Sequence, residues 1–222
     1  MKPSFERLDA SYQTAKRPLM LREAFFNSDM LYAEGAIDEL LRGLMTSSIE
    51  TFDSSITEEV TNHLFEEVRR PHSGMDLIAL NLQRGRDHGL APYNHYRALC
   101  NLTRARRFED LAGEMTAETI GKLSAVYEHV DDVDLFSGGI SERPLHGALV
   151  GPTVGCLLGM QFRALRRCDR FWYEGGSDRF TRFTEAQLAE LRKVKLAKVL
   201  CTNGDQIGSV QKHALDMPDQ FV

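Results

Sequence analysis

The sequence lacks the features that mark membrane proteins, nucleotide-binding proteins and secreted precursors. No apolar stretch approaches the roughly 20 residues that span a bilayer, and residues 1–18 have no apolar core of the signal-peptide type. Neither a GxxxxGK(S/T) nor a GxGxxG motif occurs, which argues against a nucleotide site. The net charge of −5 does not favour nucleic acid or an anionic membrane as a partner. Taken literally, the missing leader predicts a cytosolic protein.

Cysteine is also scarce, and its spacing fits no metal or redox motif. The four cysteines match no CxxC pattern and are Cys100, Cys156, Cys168 and Cys201. A disulfide in a secreted protein and buried free thiols are both open interpretations. Residues 101–103 form an Asn-Leu-Thr glycosylation sequon directly after Cys100, although a single sequon is weak evidence.

Histidines and arginines do not form a recognisable metal or nucleic-acid site. The seven histidines are scattered without metal-ligand spacing, so a protein metal site is not predicted. A basic run does occur at Arg163, Arg166, Arg167 and Arg170. In a chain of negative net charge, a solvated helix face is a better interpretation of this run than nucleic-acid binding.

The apolar residues recur at helical spacing along most of the chain. One stripe ends before a serine pair at 47–48 and consists of Ile37, Leu40, Leu41 and Leu44. Three threonines, at 57, 116 and 184, occupy N-cap positions, and Gln187 completes a capping box with the last of them. The stripes that follow these threonines are Val60, Leu64 and Val68; Ile120, Leu123 and Tyr127; and Leu188, Leu191 and Val194.

Strand signals are few, and the two best are short pieces near Asp134–Phe136 and Phe171–Tyr173. Glycine clusters predict loops, and no repeat, low-complexity tract or linker interrupts the chain. The sequence therefore predicts one mainly helical domain, or part of one.

Residues 83–89, QRGRDHG, form the densest polar segment of the chain. Asp87 and His88 invite a catalytic interpretation, because a carboxylate can hold an imidazole tautomer for proton transfer. Adjacent helix residues, however, point about 100° apart, so the two side chains cannot pair within one helix. No serine or cysteine nucleophile stands nearby, and a structural role is the favoured interpretation.

The residues just before this segment form one helix face that changes from apolar to polar. Leu77, Leu80, Asn81 and Arg84 are spaced at i, i+3, i+4 and i+7. Such a wall suits a planar apolar ligand with an acidic edge, because leucines cover the plane and arginine meets a carboxylate. The alternative is a buried helix end with a satisfied Asn81 and a surface Arg84, and spacing alone favours that alternative.

Six segments together resemble the animal haem peroxidases. The signature-like segment is LNLQRGRDHGLAPYNHYR at 80–97, preceded by TNHLFE at 61–66. The segments that follow in the family's order are VDLFSGGISE at 133–142, VGPTVGCLLGMQF at 150–162, DRFWYE at 169–174 and LAKVLCTNGDQI at 196–207. The resemblance covers the chain from about Phe25 to its end and implies a mainly α fold with few short strands.

The resemblance implies a role for each residue of the polar wall. Asn81 matches the asparagine that hydrogen-bonds the proximal histidine on the haem iron, a contact that tunes the iron. Arg84 matches the arginine that pairs with a haem propionate, and Leu77 and Leu80 fall where family residues pack on the proximal side of the haem. Arg86, Asp87 and His88 are, by the same resemblance, structural.

The resemblance also assigns cysteines and a compartment. Cys100 and Cys156 match a disulfide pair of the family, and the sequon at Asn101 then fits a secreted glycoprotein. Cys201 matches a cysteine whose partner lies beyond Val222, and Cys168 has no usual counterpart. The implied protein binds b-type haem, which the family can link covalently, and uses hydrogen peroxide to oxidise a small donor.

The resemblance does not extend to the residues that do the chemistry. No segment of the sequence matches the family's distal histidine and arginine, its calcium site, its ester-forming carboxylates or its proximal histidine. We therefore expect residues 1–222 to be the C-terminal part of the catalytic domain, without catalytic or iron-ligating residues and inactive alone. The alternative is a non-catalytic interaction or adhesion module derived from a peroxidase.

Overall fold

The computed structural model describes residues 1–67, 69–175, 180 and 182–217. The described residues are mainly helical, as predicted. Their α-helices are α1 (Leu21–Ala24), α2 (Ala36–Thr46), α3 (Glu58–Thr61), α4 (Leu77–Asp87), α5 (Tyr93–Leu99), α6 (Ala117–Val126), α7 (Leu135–Ser141), α8 (Pro152–Cys168), α9 (Glu185–Leu191) and α10 (Leu196–Asn203). Short 3-10 helices span Ser28–Tyr32, Phe108–Leu111 and Val130–Asp132.

The helices are distributed over two compact units. The terminal unit comprises Met1–Glu50, Ile56–Asp76 and Tyr173–Val222, and the central unit comprises Thr51–Ser55 and Leu77–Trp172. The terminal unit contains the two strands found in the described residues, β1 (Ser4–Phe5) and β2 (Leu19–Met20), which pair antiparallel. The central unit is built from α4 to α8.

Threonine caps begin three helices at the predicted positions. The side chain of Thr57 accepts a hydrogen bond from the backbone N–H of Glu59, and that of Thr116 accepts one from Thr119. Thr184 and Gln187 form the predicted capping box at the start of α9. The three predicted caps are therefore confirmed. They could be predicted because each depends only on residues two or three positions away. Val68, predicted to lie on a buried face, is outside the described residues.

The buried face of α2 differs from the predicted stripe. Helix α2 ends just before Ser47, as expected, but the side chains of Ile37 and Leu44 are each 53% exposed. Asp38 and Arg42 are buried instead. Asp38 accepts a hydrogen bond from the backbone N–H of Gln206 at 2.5 Å, and Arg42 donates to the Gln206 carbonyl at 2.8 Å. These hydrogen bonds turn the charged side of the helix inward.

Both predicted strand segments are wrong. Asp134 is the N-cap residue of α7, and Leu135 and Phe136 begin that helix. Phe171 and Tyr173 lie in turns after α8. A short apolar run does not by itself distinguish a strand from the start of a helix. The first segment is helical because α7 continues through Ser141.

The core of the central unit surrounds Tyr93, which has no solvent exposure. The buried apolar residues packed around it come from the segments between α5 and α7, and are Ala105, Leu111, Met115, Leu123, Val130 and Val133. Helices α5 and α7 approach closely at Gly138, where an added Cβ atom would lie 2.2 Å from Cγ of Tyr93. Glycine at position 138 therefore permits the contact between these helices.

Replacement of Gly138 by alanine should destabilise the protein by about 1–3 kcal/mol, because the new methyl group overpacks the Tyr93 ring. The matched control is Gly121→Ala in α6, where no atom beyond the chain neighbours and the helix's own backbone lies within 4 Å of the added Cβ. The control should stabilise the protein by up to about 1 kcal/mol through helix propensity. Urea unfolding monitored by circular dichroism gives both free energies, and equal effects of the two substitutions would contradict the packing argument.

Candidate functional site

Helix α4 carries the residues of the predicted wall and ends in a defined turn. Gly89 adopts a left-handed conformation with φ +67°. The N–H of Leu90 donates to the Gly85 carbonyl at 3.0 Å, and that of Gly89 donates to the Arg86 carbonyl at 3.0 Å. This pair of hydrogen bonds is a Schellman motif, which closes the helix and requires a residue that tolerates positive φ. The end of α4 is therefore fixed.

A cavity of about 1120 Å³ opens beside α4 in the central unit. Its apolar lining is larger than its polar lining and comes from several elements: Phe52, Leu82, Leu90, Ala91, Pro92, Val126, Leu135, Phe136, Ile140, Val154 and Leu157. Its polar and acidic lining consists of Asn81, Arg84, Arg86, His88, Tyr127, Glu128, Asp131, Asp132 and Asp134. The volume is slightly above the usual range of about 300–1,000 Å³ for small-molecule and cofactor sites.

The structure brings two of the four predicted wall residues into this cavity. Asn81 and Arg84 line it, whereas Leu77 and Leu80 are not among the lining residues. Leu80 directly precedes Asn81, so helix geometry rotates it by about 100° from that face. Leu77 lies one turn before Asn81, toward the start of the helix. The apolar surface of the cavity is supplied instead by residues such as Leu82, from the same helix, and Phe136, from α7.

Arg86 and Asp134 form a charge-compensated pair on the cavity wall. The Arg86 guanidinium donates to both carboxylate oxygens of Asp134, at 2.9 and 2.7 Å. The Tyr127 hydroxyl donates to Asp134 at 2.8 Å and lies 3.0 Å from the Ser137 hydroxyl. The hydrogen bond from Arg86 lowers the pKa of Asp134. This pair could not be predicted from the sequence, because its members lie 48 residues apart.

Asn81 and Arg84, by contrast, have no partner within the described part of the chain. Neither side chain makes a hydrogen bond or an ion pair there. A guanidinium and a carboxamide therefore face an otherwise mostly apolar cavity with free hydrogen-bonding groups. Such an arrangement can bind a flat apolar molecule that carries a carboxylate on its edge.

Asp87 and His88 do not form a catalytic pair with a nucleophile. His88 lines the cavity, whereas Asp87 does not, and no serine, threonine or cysteine is among the lining residues. In the described ranges, no group of three or more His, Cys, Asp or Glu residues could hold a metal ion. The structural role that the sequence analysis favours for Asp87 and His88 remains a prediction.

Cys100 and Cys156 are joined in a disulfide between the end of α5 and helix α8. Cys168 is a free, exposed thiol, and Cys201 is a free, half-buried one. Asn101 is exposed and follows the disulfide directly, with φ 59°. The sequon asparagine is therefore accessible to solvent. No helix in the described ranges is long and apolar enough to cross a membrane.

The sequence model of the animal haem peroxidases matches residues 1–215. The chain belongs to the animal haem peroxidase family. It is 40% identical over 210 residues to Peroxidasin homolog pxn-2 of Caenorhabditis elegans, covering 93% of this chain and 15% of that protein. It is 40% identical over 205 residues to thyroid peroxidase of Sus scrofa, covering 90% of this chain and 22% of that protein. The chain thus spans about a fifth or less of the length of these relatives.

Solved structures give the same fold. Peroxidase A from Dictyostelium discoideum superposes with a TM-score of 0.80 at 30% identity, covering 96% of this chain and 39% of that one. A fatty acid alpha-dioxygenase from Oryza sativa superposes with a TM-score of 0.74 at 14% identity, which shows a shared fold alone. The described helices of this peroxidase-family chain therefore follow the helical architecture of the family.

The Arg86–Asp134 pair should make stability depend on pH in the acid range. The folded-state pKa of Asp134 is lowered. The pair therefore contributes fully above the unfolded-state pKa of about 3.9, and this contribution disappears as the pH falls through the folded-state pKa. We expect Asp134→Asn to cost on the order of 1 kcal/mol at pH 7, since Arg86 is partly solvent-screened, and to cost less as the pH drops below about 4.

Urea unfolding between pH 7 and pH 3 measures this dependence. The control is Glu118→Gln, which removes an exposed ion pair with Lys122 and should change the pH profile little. A profile for Asp134→Asn that runs parallel to that of the unsubstituted protein would exclude the assigned role of the pair.

Proposed function

We propose that this chain supplies one wall of the haem pocket of a peroxidase that uses hydrogen peroxide to oxidise a small donor. The observation that carries the proposal is the cavity beside α4, where the side chains of Arg84 and Asn81, unpaired among the described residues, face a mostly apolar lining. Membership of the animal haem peroxidases supports the same ligand. A b-type haem is a flat apolar ring with carboxylates on one edge, and this lining fits it.

Each proposed residue has a distinct task. The Arg84 guanidinium holds a propionate carboxylate through charge-assisted hydrogen bonds. The Asn81 carboxamide oxygen accepts a hydrogen bond from the imidazole that ligates the iron, and so fixes that ring and raises its basicity. The leucines at 77 and 80 remain part of the proposed proximal wall, although in this structure they lie outside the cavity. When bound, the haem supplies the redox chemistry that splits the peroxide.

The proposal places the remaining catalytic groups outside this sequence. We assign residues 1–222 to the C-terminal part of a peroxidase domain, which fits the 39% of the Peroxidase A chain that they cover. The distal histidine and arginine, the proximal histidine and the calcium site then belong to other residues of the domain. On this basis the 222 residues alone are inactive as a peroxidase, and none of their histidines is proposed as an iron ligand.

An extracellular location completes the proposal. Disulfides persist in oxidising compartments, and Cys100 and Cys156 form one here. Asn101 is proposed as an N-glycosylation site, because its sequon is solvent-exposed. The alternative function, a non-catalytic interaction module, is favoured by the exposed apolar residues on α8, such as Phe162 and Leu165.

Hemin titration in the presence of free imidazole tests the haem proposal on this chain, because imidazole replaces the iron ligand that the chain does not supply. We expect saturable one-to-one binding, read from the Soret band, that Arg84→Ala weakens roughly tenfold or more through loss of a charge-assisted hydrogen bond. Asn81→Ala should reduce the gain in affinity that imidazole produces.

The charge-matched control is Arg163→Ala on α8, outside the cavity lining, which should leave the affinity unchanged. A second pair of variants tests whether the ligand occupies the cavity. Gly85→Met places a side chain in the cavity, and its control Gly121→Met leaves the cavity open. Unsaturable binding that is equal in all five variants and the unsubstituted protein would overturn the haem proposal. A soluble, monodisperse protein with that result would favour the interaction module.

A further inference from the structure

Helix α8 begins without a cap of its own. Its N-cap residue is Gly151, which has no side chain to accept a hydrogen bond, and its first turn contains no acidic residue. The N–H groups of a first turn have no partner within the helix and need an acceptor from elsewhere. Pro152 removes one of them, and the N–H of Thr153, a residue with no solvent exposure, is left in the protein interior.

Glu142 supplies the missing acceptor. It is the C-cap residue of α7, nine positions before Gly151, and it is buried. One carboxylate oxygen of Glu142 accepts the N–H of Thr153 at 2.9 Å, and the other accepts the Thr153 hydroxyl. A carboxylate at this position also interacts favourably with the positive end of the helix dipole.

The glycine at 151 is explained by the same carboxylate. An added Cβ atom at position 151 would lie 2.3 Å from Cβ of Glu142 and 2.5 Å from Oε2. The backbone of Gly151, with φ −76° and ψ 178°, is open to any L-residue. The space that a normal capping side chain would use is therefore occupied by Glu142, and only steric exclusion requires glycine there.

Two further buried residues orient the Glu142 carboxylate. The Tyr93 hydroxyl donates to Glu142 at 2.7 Å, and Arg97 donates to the Tyr93 oxygen at 3.1 Å and to Glu114 at 2.9 Å. Burial, together with Glu142, raises the pKa of Tyr93, so its hydroxyl keeps its proton and remains a donor. The charged and titratable groups that surround Glu142 and Tyr93 therefore lie on α5 and at Glu114, which precedes α6.

The first turns of α8 contribute Val154 and Leu157 to the cavity, and the end of α7 contributes Gly139 and Ile140. We infer that Glu142 is a positioning residue, whose carboxylate acts as a remote N-cap that docks the start of α8 onto the end of α7 and thereby sets the cavity wall. The Cys100–Cys156 disulfide tethers α8 one turn further along the helix, at Cys156.

Hydrogen exchange separates positioning from general stability. In Glu142→Gln, which keeps the shape and loses the charge, the amides of residues 153–155 should exchange roughly five- to thirtyfold faster. The amides of α6, at Ile120 and Leu123, should keep their rates, since within the described residues no hydrogen bond joins α6 to Glu142 or Thr153. A general loss of stability would accelerate both sets together.

A rescue experiment tests the capping assignment itself. Gly151→Ser alone should be harmful, because its side chain collides with Glu142. In the Glu142→Gly background, which removes both the carboxylate and the Cβ atom of residue 142, the same serine has room and can cap α8 itself. It should there slow the exchange of residues 153–155 about fivefold relative to Glu142→Gly alone. The effect of Gly151→Ser on the exchange of residues 153–155 should therefore be opposite in the two backgrounds.

Two results would overturn the inference: equal acceleration of α6 and α8 in Glu142→Gln, or a harmful Gly151→Ser in both backgrounds. If Glu142→Gln does not fold, Thr153→Val replaces it, because valine keeps the peptide N–H and loses only the hydroxyl donor. It should give a smaller acceleration confined to the same amides, and acceleration elsewhere would count against the inference. None of these readouts involves hemin, so failure here and failure of the haem proposal are distinguishable.

Discussion

The central unit depends on the burial of one side chain, that of Tyr93. Its ring packs against Gly138 of α7, its hydroxyl lies between Arg97 and Glu142, and its backbone N–H donates to the Val133 carbonyl at 2.9 Å. One residue thereby joins α5 to α7 by apolar contact and by hydrogen bonds at the same time. A buried hydroxyl is costly unless it is paired, so the partners of Tyr93 are as necessary as its packing.

Local features of the fold could be predicted from the sequence, and long-range ones could not. The caps at Thr57, Thr116 and Thr184 need only a residue two or three positions away, so a short window contains the whole interaction. The buried face of α2 depends on hydrogen bonds between Arg42 and a carbonyl 164 residues later. No periodicity within the helix contains that information, and the apolar stripe therefore predicted the wrong buried face for α2.

The candidate site divides in the same way. The spacing of α4 and the family resemblance both singled out Asn81 and Arg84, which line the cavity, whereas Leu77 and Leu80 shared the predicted face but not the cavity. The lining is shaped by Phe136 and other residues that the fold brings in from α7 and α8. A helical wheel describes one helix and cannot show which part of its face a neighbouring helix covers.

The charges of the cavity determine how an acidic ligand would lie in it. Arg84 and Arg86 are two residues apart, yet Asp134 neutralises Arg86 while Arg84 stays unpaired within the described residues. The cavity lining also carries the acidic residues Glu128, Asp131 and Asp132, which repel a carboxylate. A ligand with carboxylates on one edge therefore gains most when that edge faces Arg84 and its apolar body faces Phe136 and Leu157. The Arg86–Asp134 pair thus restricts the anion site to a single arginine, which favours one orientation of the ligand over its reverse.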